Sequence, residues 1–217
     1  MMPAARPSRL RAFRRCLLLC CLLALTLAAL PAGAATPARQ TLETSISRIL
    51  NCIKNPDYVN PATRGPLRQQ IEDEVLHVFD FGEFSSRTVG PRWRAFTPEQ
   101  QRRFSDAFAD LLINTYLNKI DGYNGEQVLY TGETVSPDGK RVEIQTSITM
   151  KDGKKVPVAY RMLPKRNSWF VYDVLIENLS LVKNYRTQFQ DILNSASPDQ
   201  LIEKIRAKTR EVGQSGS

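Results

Sequence analysis

The sequence predicts an α+β fold: a four-stranded antiparallel twisted sheet packed against helices that precede and follow it. Three observations carry this. Apolar residues recur at helical spacing over residues 41–120 and again over 179–210. Over 126–177 the period falls to two. Within that stretch Asp138-Gly139 and Asp152-Gly153 sit where hairpin turns belong.

The first 34 residues stand apart from this pattern. Met1 to Arg15 carries five Arg and no acid, and Cys16 to Leu30 is an apolar run. Pro31 breaks the run, and the small residues Ala32-Gly33-Ala34-Ala35 follow. This is the three-part layout of a cleaved secretory signal. The run is short for a membrane span, which needs about 20 apolar residues. Cys20 and Cys21 follow Leu rather than a small residue, which argues against a lipoprotein acceptor. Residues 35–217 are then one exported domain. The whole chain has 30 basic and 22 acidic residues, net +8. Without residues 1–34 the domain has 25 and 22, net +3, which speaks against nucleic acid as a partner. One of the four Cys remains, Cys52, so no intramolecular disulfide is possible.

Along the domain, Leu42, Ile46, Ile49, Leu50 and Ile53 form the apolar stripe of a first helix, which Asn55-Pro56 ends. Cys52 flanks the stripe as a small core-edge residue. A second helix spans Leu67 to His77, with Leu67, Ile71, Val75 and Val78 on one side. Residues 79–96 are rich in aromatics and carry no assigned element. Thr97-Pro98-Glu99-Gln100 is a capping box that starts a long helix bearing Phe104, Phe108, Leu111 and Leu112.

The strands follow. Glu126 to Val135 is the first. In the second, Val142, Ile144, Thr146, Ile148 and Met150 alternate with polar residues. Val156, Val158, Tyr160 and Met162 mark the third. Ser168 to Glu177 is the fourth, with Phe170, Tyr172, Val174 and Ile176 expected on one face. Leu181, Tyr185, Phe189, Ile192 and Leu193 mark a helix, and Ser197-Pro198-Asp199-Gln200 opens another with a second capping box.

Phosphate-binding glycine loops, zinc-hydrolase and nucleophile-elbow motifs are absent from the sequence. His77 is the only His and has no paired ligand at metal spacing. Asp173 and Glu177 share a strand face about 13 Å apart, too far for an acid–base pair. No catalytic residue, metal or cofactor is predicted.

Two separated segments go further. One runs Val89-Gly90-Pro91-Arg92-Trp93-Arg94-Ala95-Phe96-Thr97-Pro98-Glu99-Gln100 into Phe104 and Phe108. The other runs from Trp169 to Arg186 through Asp173-Val174-Leu175-Ile176-Glu177-Asn178-Leu179-Ser180, ending at Gln188-Phe189. At this spacing, over residues 40 to 210, the chain resembles the MlaC family of toluene-tolerance auxiliary proteins. The family usually has Gly where this chain has Asn178.

The resemblance implies a periplasmic phospholipid carrier with an apolar pocket between sheet and helices. Its partners would be phospholipid, an inner-membrane ABC transporter with its lipid-binding periplasmic subunit, and an outer-membrane lipoprotein–porin complex. Its role would be to maintain outer-membrane lipid asymmetry. Burying a CH₂ is worth about 0.8 kcal/mol, so exposing two acyl chains of roughly fifteen carbons costs over about 20 kcal/mol. A carrier must therefore enclose the tails and need not grip the headgroup. The expected lipid-binding residues are Val142, Ile144, Ile148, Val158, Tyr160 and Tyr172 on the sheet, and Phe104, Phe108 and Leu112 on the long helix. Two alternatives stand beside the carrier: an exported interaction module with a solid core, and a small enzyme using a sheet pocket. The sequence does not say which surface meets the transporter; the hairpin with Lys151, Lys154 and Lys155 is a first place to test.

Overall fold

The structure is a computed structural model that describes residues 35–120, 127–150 and 152–215. Helices α1 (Pro37–Lys54), α2 (Pro56–Val59), α3 (Arg64–Val78) and α4 (Phe81–Val89) come first. A 3-10 turn, Gly90–Ala95, leads into α5 (Pro98–Ile120). Strands β1 (Gln127–Val135), β2 (Val142–Thr149), β3 (Lys155–Lys165), β4 (Ser168–Ile176) and β5 (Leu179–Ser180) follow, then α6 (Leu181–Leu193) and α7 (Pro198–Ser215). Every strand pairs antiparallel with the next, in chain order. The predicted α+β architecture is therefore present, with one strand more than expected. β5 is two residues long and pairs Leu179 with Ile176 and Ser180 with Leu175. Two residues carry no readable period, so the sequence alone merges them with the helix that follows.

Local chemistry explains the element ends. Both predicted capping boxes form. The Gln100 N–H donates to Thr97 Oγ1 at 3.1 Å, and the Thr97 N–H donates to Gln100 Oε1 at 3.0 Å. The Ser197 and Gln200 pair repeats this at 2.8 and 3.3 Å. Gly139 (φ 68°) and Gly153 (φ 81°) turn the two Asp-Gly hairpins. The last two connections are two-residue turns with both residues left-handed: Arg166 and Asn167 (φ 50° and 62°), then Glu177 and Asn178 (φ 50° and 66°). Asn178 thus occupies a backbone that favours Gly, and Asn is the next most tolerant residue there.

α4 lies in the stretch that carried no element in the sequence reading. Gly82, Thr88 and Val89 are weak helix formers, so local propensity gives little sign of it. Asp80 caps it by accepting the Glu83 N–H at 3.0 Å, and Lys165 from β3 pairs with the same carboxylate. Packing completes the case: Phe84, Ser85, Thr88 and Val89 are buried.

The densest packing joins α4, α5 and α6. Phe84, Phe104 and Phe108 are fully buried. The Phe108 ring lies 5.6 Å from Phe84, 5.0 Å from Tyr185 and 5.3 Å from Phe189, each edge to face. A smaller cluster of Ile53, Tyr58, Ile71 and Leu117 holds α1, α2, α3 and the far part of α5 together.

The sheet's alternation is interrupted twice. On β1 the register slips between Tyr130 and Gly132. On β4, Asp173 pairs with Arg161 but Val171 pairs with Met162, so Tyr172 is the extra residue of a bulge. Val174 and Ile176 keep the helix-facing side, as expected. Beyond the bulge it is Val171 and Trp169 that join the core, not Phe170 and Tyr172. A bulge changes phase by one residue, which period-two reasoning does not anticipate.

Phe108→Ala is expected to destabilise the protein by about 3–5 kcal/mol in urea unfolding, the usual cost of emptying a buried ring site. Val59→Ala, at an 82% exposed position, should change stability by less than about 0.5 kcal/mol. Tyr185 adds a pH dependence. Burial, with the nearby Tyr116, pushes its phenol up from 10.0 to about 12, against a lowering hydrogen bond with Thr115. A raised folded-state pKa contributes stability that is complete below pH 10 and is lost as pH climbs to about 12. Tyr185→Phe should therefore flatten the alkaline fall of the urea midpoint across that window.

Candidate functional site

A cavity of about 420 Å³ opens between the two clusters, a size typical of small-molecule sites. α1 supplies Leu42, Ile46, Ile49, Leu50 and Ile53. α3 supplies Ile71, Val75 and Val78, and the later turns of α5 supply Leu112, Ile113, Tyr116 and Leu117. The sheet supplies the opposite wall through Val128, Ile148, Val158, Tyr160, Val174 and Ile176. Phe79, Phe81 and Phe84 close one side, with rings 5.5 to 6.4 Å apart in a stack.

The helical period explains why α1 lines the cavity with one face only. Leu42, Ile46, Ile49 and Ile53 are spaced three or four apart, so they share a side. Ile46, Ile49 and Leu50 remain half-buried, facing the cavity. Met150, 39% exposed, stands at the end of β2 on the rim.

The electrostatics of the lining are sparse. Among the described residues Glu72 is the one charged lining residue, and Arg68 pairs with it at 3.5 Å. Ser45 is buried among apolar side chains. Burial pushes the Tyr160 phenol up to about 12, opposed by a hydrogen bond with Thr146, so it is neutral at physiological pH. Tyr116 shifts upward for the same reason. The lining therefore offers hydrocarbon surface and neutral hydroxyls, suited to a ligand whose buried part is apolar.

The expected lipid-binding residues divide. Leu112, Ile148, Val158 and Tyr160 meet around the cavity. Phe104, Phe108, Val142 and Ile144 lie in the solid core instead, each 2% exposed or less. They share the right face with the lining residues but sit in the filled core, where rings from α4 and α6 pack against Phe108. Tyr172 is turned away by the β4 bulge. It lies under Arg87, whose guanidinium carbon is 4.1 Å from the ring centroid, and lines a separate polar cleft.

The sequence reading did not assign Ile46, Ile49, Val75, Phe79 and Phe81 to the site. Their apolar stripes were visible, but a stripe against protein and a stripe against a hollow have the same spelling. His77 is exposed near the end of α3 and does not line the cavity. Cys52 packs at the edge of the smaller cluster, and burial beside Glu74 pushes its thiol up, which makes it a weak nucleophile. Asp173 is structural: it accepts from Ser180 Oγ at 2.7 Å and from the Val182 N–H at 3.1 Å. Among the described residues no three His, Cys, Asp or Glu side chains converge as a metal site, and no helix is long and apolar enough to cross a membrane.

Comparison with known proteins places this geometry. The chain is 32% identical to the toluene tolerance protein ttg2D of Pseudomonas putida over 49% of each protein. It is 22% identical to the intermembrane phospholipid transport system binding protein MlaC of Haemophilus influenzae, over 64% of this chain and 67% of that protein. The chain thus spans about half the length of the first relative. A phospholipid-binding protein from Ralstonia solanacearum, solved in complex with a phospholipid, superposes with a TM-score of 0.73 at 26% identity. That match covers 81% of this chain and 98% of the other. The family model described as MlaC protein matches residues 43–207, and the chain belongs to that family.

Proposed function

We propose that this protein is a phospholipid carrier that holds acyl chains in the cavity between α1, α3, α5 and the sheet. The observation that carries the reading is an apolar hollow of about 420 Å³ with a single charged lining residue among the described residues. A solid-core interaction module would have no use for such a hollow. The phospholipid complex of the structurally similar Ralstonia protein supports the same ligand class.

In this reading the tails contact Leu112, Ile148, Val158 and Tyr160, together with Ile46, Ile49 and Val75. Phe104, Phe108, Val142 and Ile144 shape the frame without touching lipid. The tails leave water, which supplies the binding energy, and the headgroup stays near Glu72 and Arg68 or in solvent. Recognition is therefore of chains rather than headgroups. The carrier performs no covalent chemistry. Residues 1–34 act as its export signal, and it works in the periplasm. There it shuttles lipid between an outer-membrane lipoprotein–porin complex and an inner-membrane ABC transporter, sustaining outer-membrane lipid asymmetry.

The direct test expresses the full chain with export, purifies it without detergent and analyses extracted lipid by mass spectrometry. About one phospholipid per protein is expected, as a tightly enclosed apolar ligand should survive purification. Protein that is lipid-free and also takes up no lipid from vesicles would sink the proposal. Ile148→Trp, which fills space at the sheet wall, should lower lipid occupancy severalfold with unchanged far-UV circular dichroism. Ile144→Trp should instead destabilise the fold, because Ile144 is 0% exposed in the solid core.

A further inference from the structure

A second concavity of about 420 Å³ lies apart from the apolar cavity and shares no lining residue with it. Its walls include five basic side chains, Arg87, Arg141, Arg161, Lys183 and Arg186, against two acids, Glu143 and Asp173. The sheet separates the two sites. On β3, Arg161 pairs across with Glu143 and Asp173, while the preceding Tyr160 pairs with Ile144 and Val174. Successive residues face opposite sides of a sheet, so the cleft looks out from the face away from the hollow.

The inner cations are already engaged. Arg161 donates to Glu143 at 2.8 Å and to Asp173 at 3.3 Å. Arg186 donates to the Arg87 carbonyl, and Arg87 pairs with Glu83 and covers Tyr172. Both lining acids are spent on the protein. The rim differs. Arg141 and Lys183 are exposed, and among the described residues neither has an acid at ion-pair distance. Lys140 stands next to Arg141, and Asp138 in that turn is held by the Lys140 N–H and Ser136 Oγ. The α6 N-terminus is already met by Asp173 and Ser180, which accept the Val182 and Lys183 N–H groups, so the rim charge comes from the side chains. Next to lining residues Ser136 and Ser180 stand the exposed apolar side chains Val135 and Leu179, 48% and 72% exposed.

A small-anion site needs free donors in its floor. Here the floor donors are used, and the rim carries Arg141 and Lys183 outside any ion pair, with Asp138 near Arg141 only partly offsetting the charge, beside apolar side chains. That distribution fits a broad surface bearing carboxylates. We propose that this cleft, centred on Arg141 and Lys183, is the docking surface for an acidic segment of a protein partner. Rim charges of this kind steer association and set which partner is accepted. The hairpin at 151–155 is the other basic surface: Lys151 lies outside the described residues, Lys154 pairs with Glu177 at 3.1 Å, and Lys155 is exposed. The proposal rests on the carrier reading only for why a partner must be met.

The test measures fluorescence anisotropy of a fluorescein-labelled octaglutamate peptide against the purified protein. Binding is expected, weakening as salt shortens the screening length. Arg141→Glu with Lys183→Glu should weaken it about tenfold or more. Arg141→Ser with Lys183→Ser should give a smaller loss. Lys204→Glu with Arg210→Glu, on α7, should leave it within about twofold. Lipid content of the Arg141 and Lys183 variants should match the parent, which keeps failure here distinct from failure of the carrier reading. Absent binding, or equal loss in the α7 control, overturns the proposal. So does competition by inorganic phosphate equal to that of the peptide, or binding only to vesicles of anionic phospholipid.

Discussion

Phe108 meets four rings, Phe84 from α4, Phe104 from its own helix, and Tyr185 and Phe189 from α6. This cluster fixes three helices over one end of the sheet, and the geometry of the cavity depends on it. Protein interiors normally pack without voids, and an unsupported hollow collapses onto its lining. Here the collapse is resisted from two sides. The aromatic cluster holds α4, α5 and α6, while Ile53, Tyr58, Ile71 and Leu117 join the α1–α3 layer to the far part of α5. α5 belongs to both clusters and spans the space between them.

The sheet divides chemistry as well as space. On one side Tyr160, Val158 and Val174 meet the hollow, and on the other Arg161, Glu143 and Asp173 form a polar network. Asp173 joins the network to the chain's next element, accepting from Ser180 Oγ and the Val182 N–H at the start of α6. A carboxylate at a helix N-terminus is favourable, and its buried charge is matched by Arg161. The β4 bulge belongs to the same arrangement. It moves Tyr172 from the expected hollow-facing row to the polar side, where Arg87 lies over it.

Features decided by a few adjacent residues were legible. The capping boxes at Thr97 and Ser197 and the Asp-Gly turns depend on local backbone chemistry. Strand alternation gave the sheet face correctly along β2 and β3, where pairing is regular from Val142 with Met162 to Thr149 with Lys155. It failed at Tyr172, where one extra residue shifts the phase. α4 was missed because its stability comes from Phe84 and Val89 packing elsewhere, and from Asp80 pairing with Lys165, eighty-five positions away.

From the sequence alone came the α+β order, the apolar faces, the lack of catalytic motifs and the family resemblance. The tertiary structure decided where those faces are filled. Phe104 and Leu112 lie on one helix, two turns apart, yet the first is locked among rings and the second borders the hollow. An apolar side chain has the same composition signature against protein or against empty space. A cavity is the volume that several elements together leave unoccupied, so no single stripe encodes it.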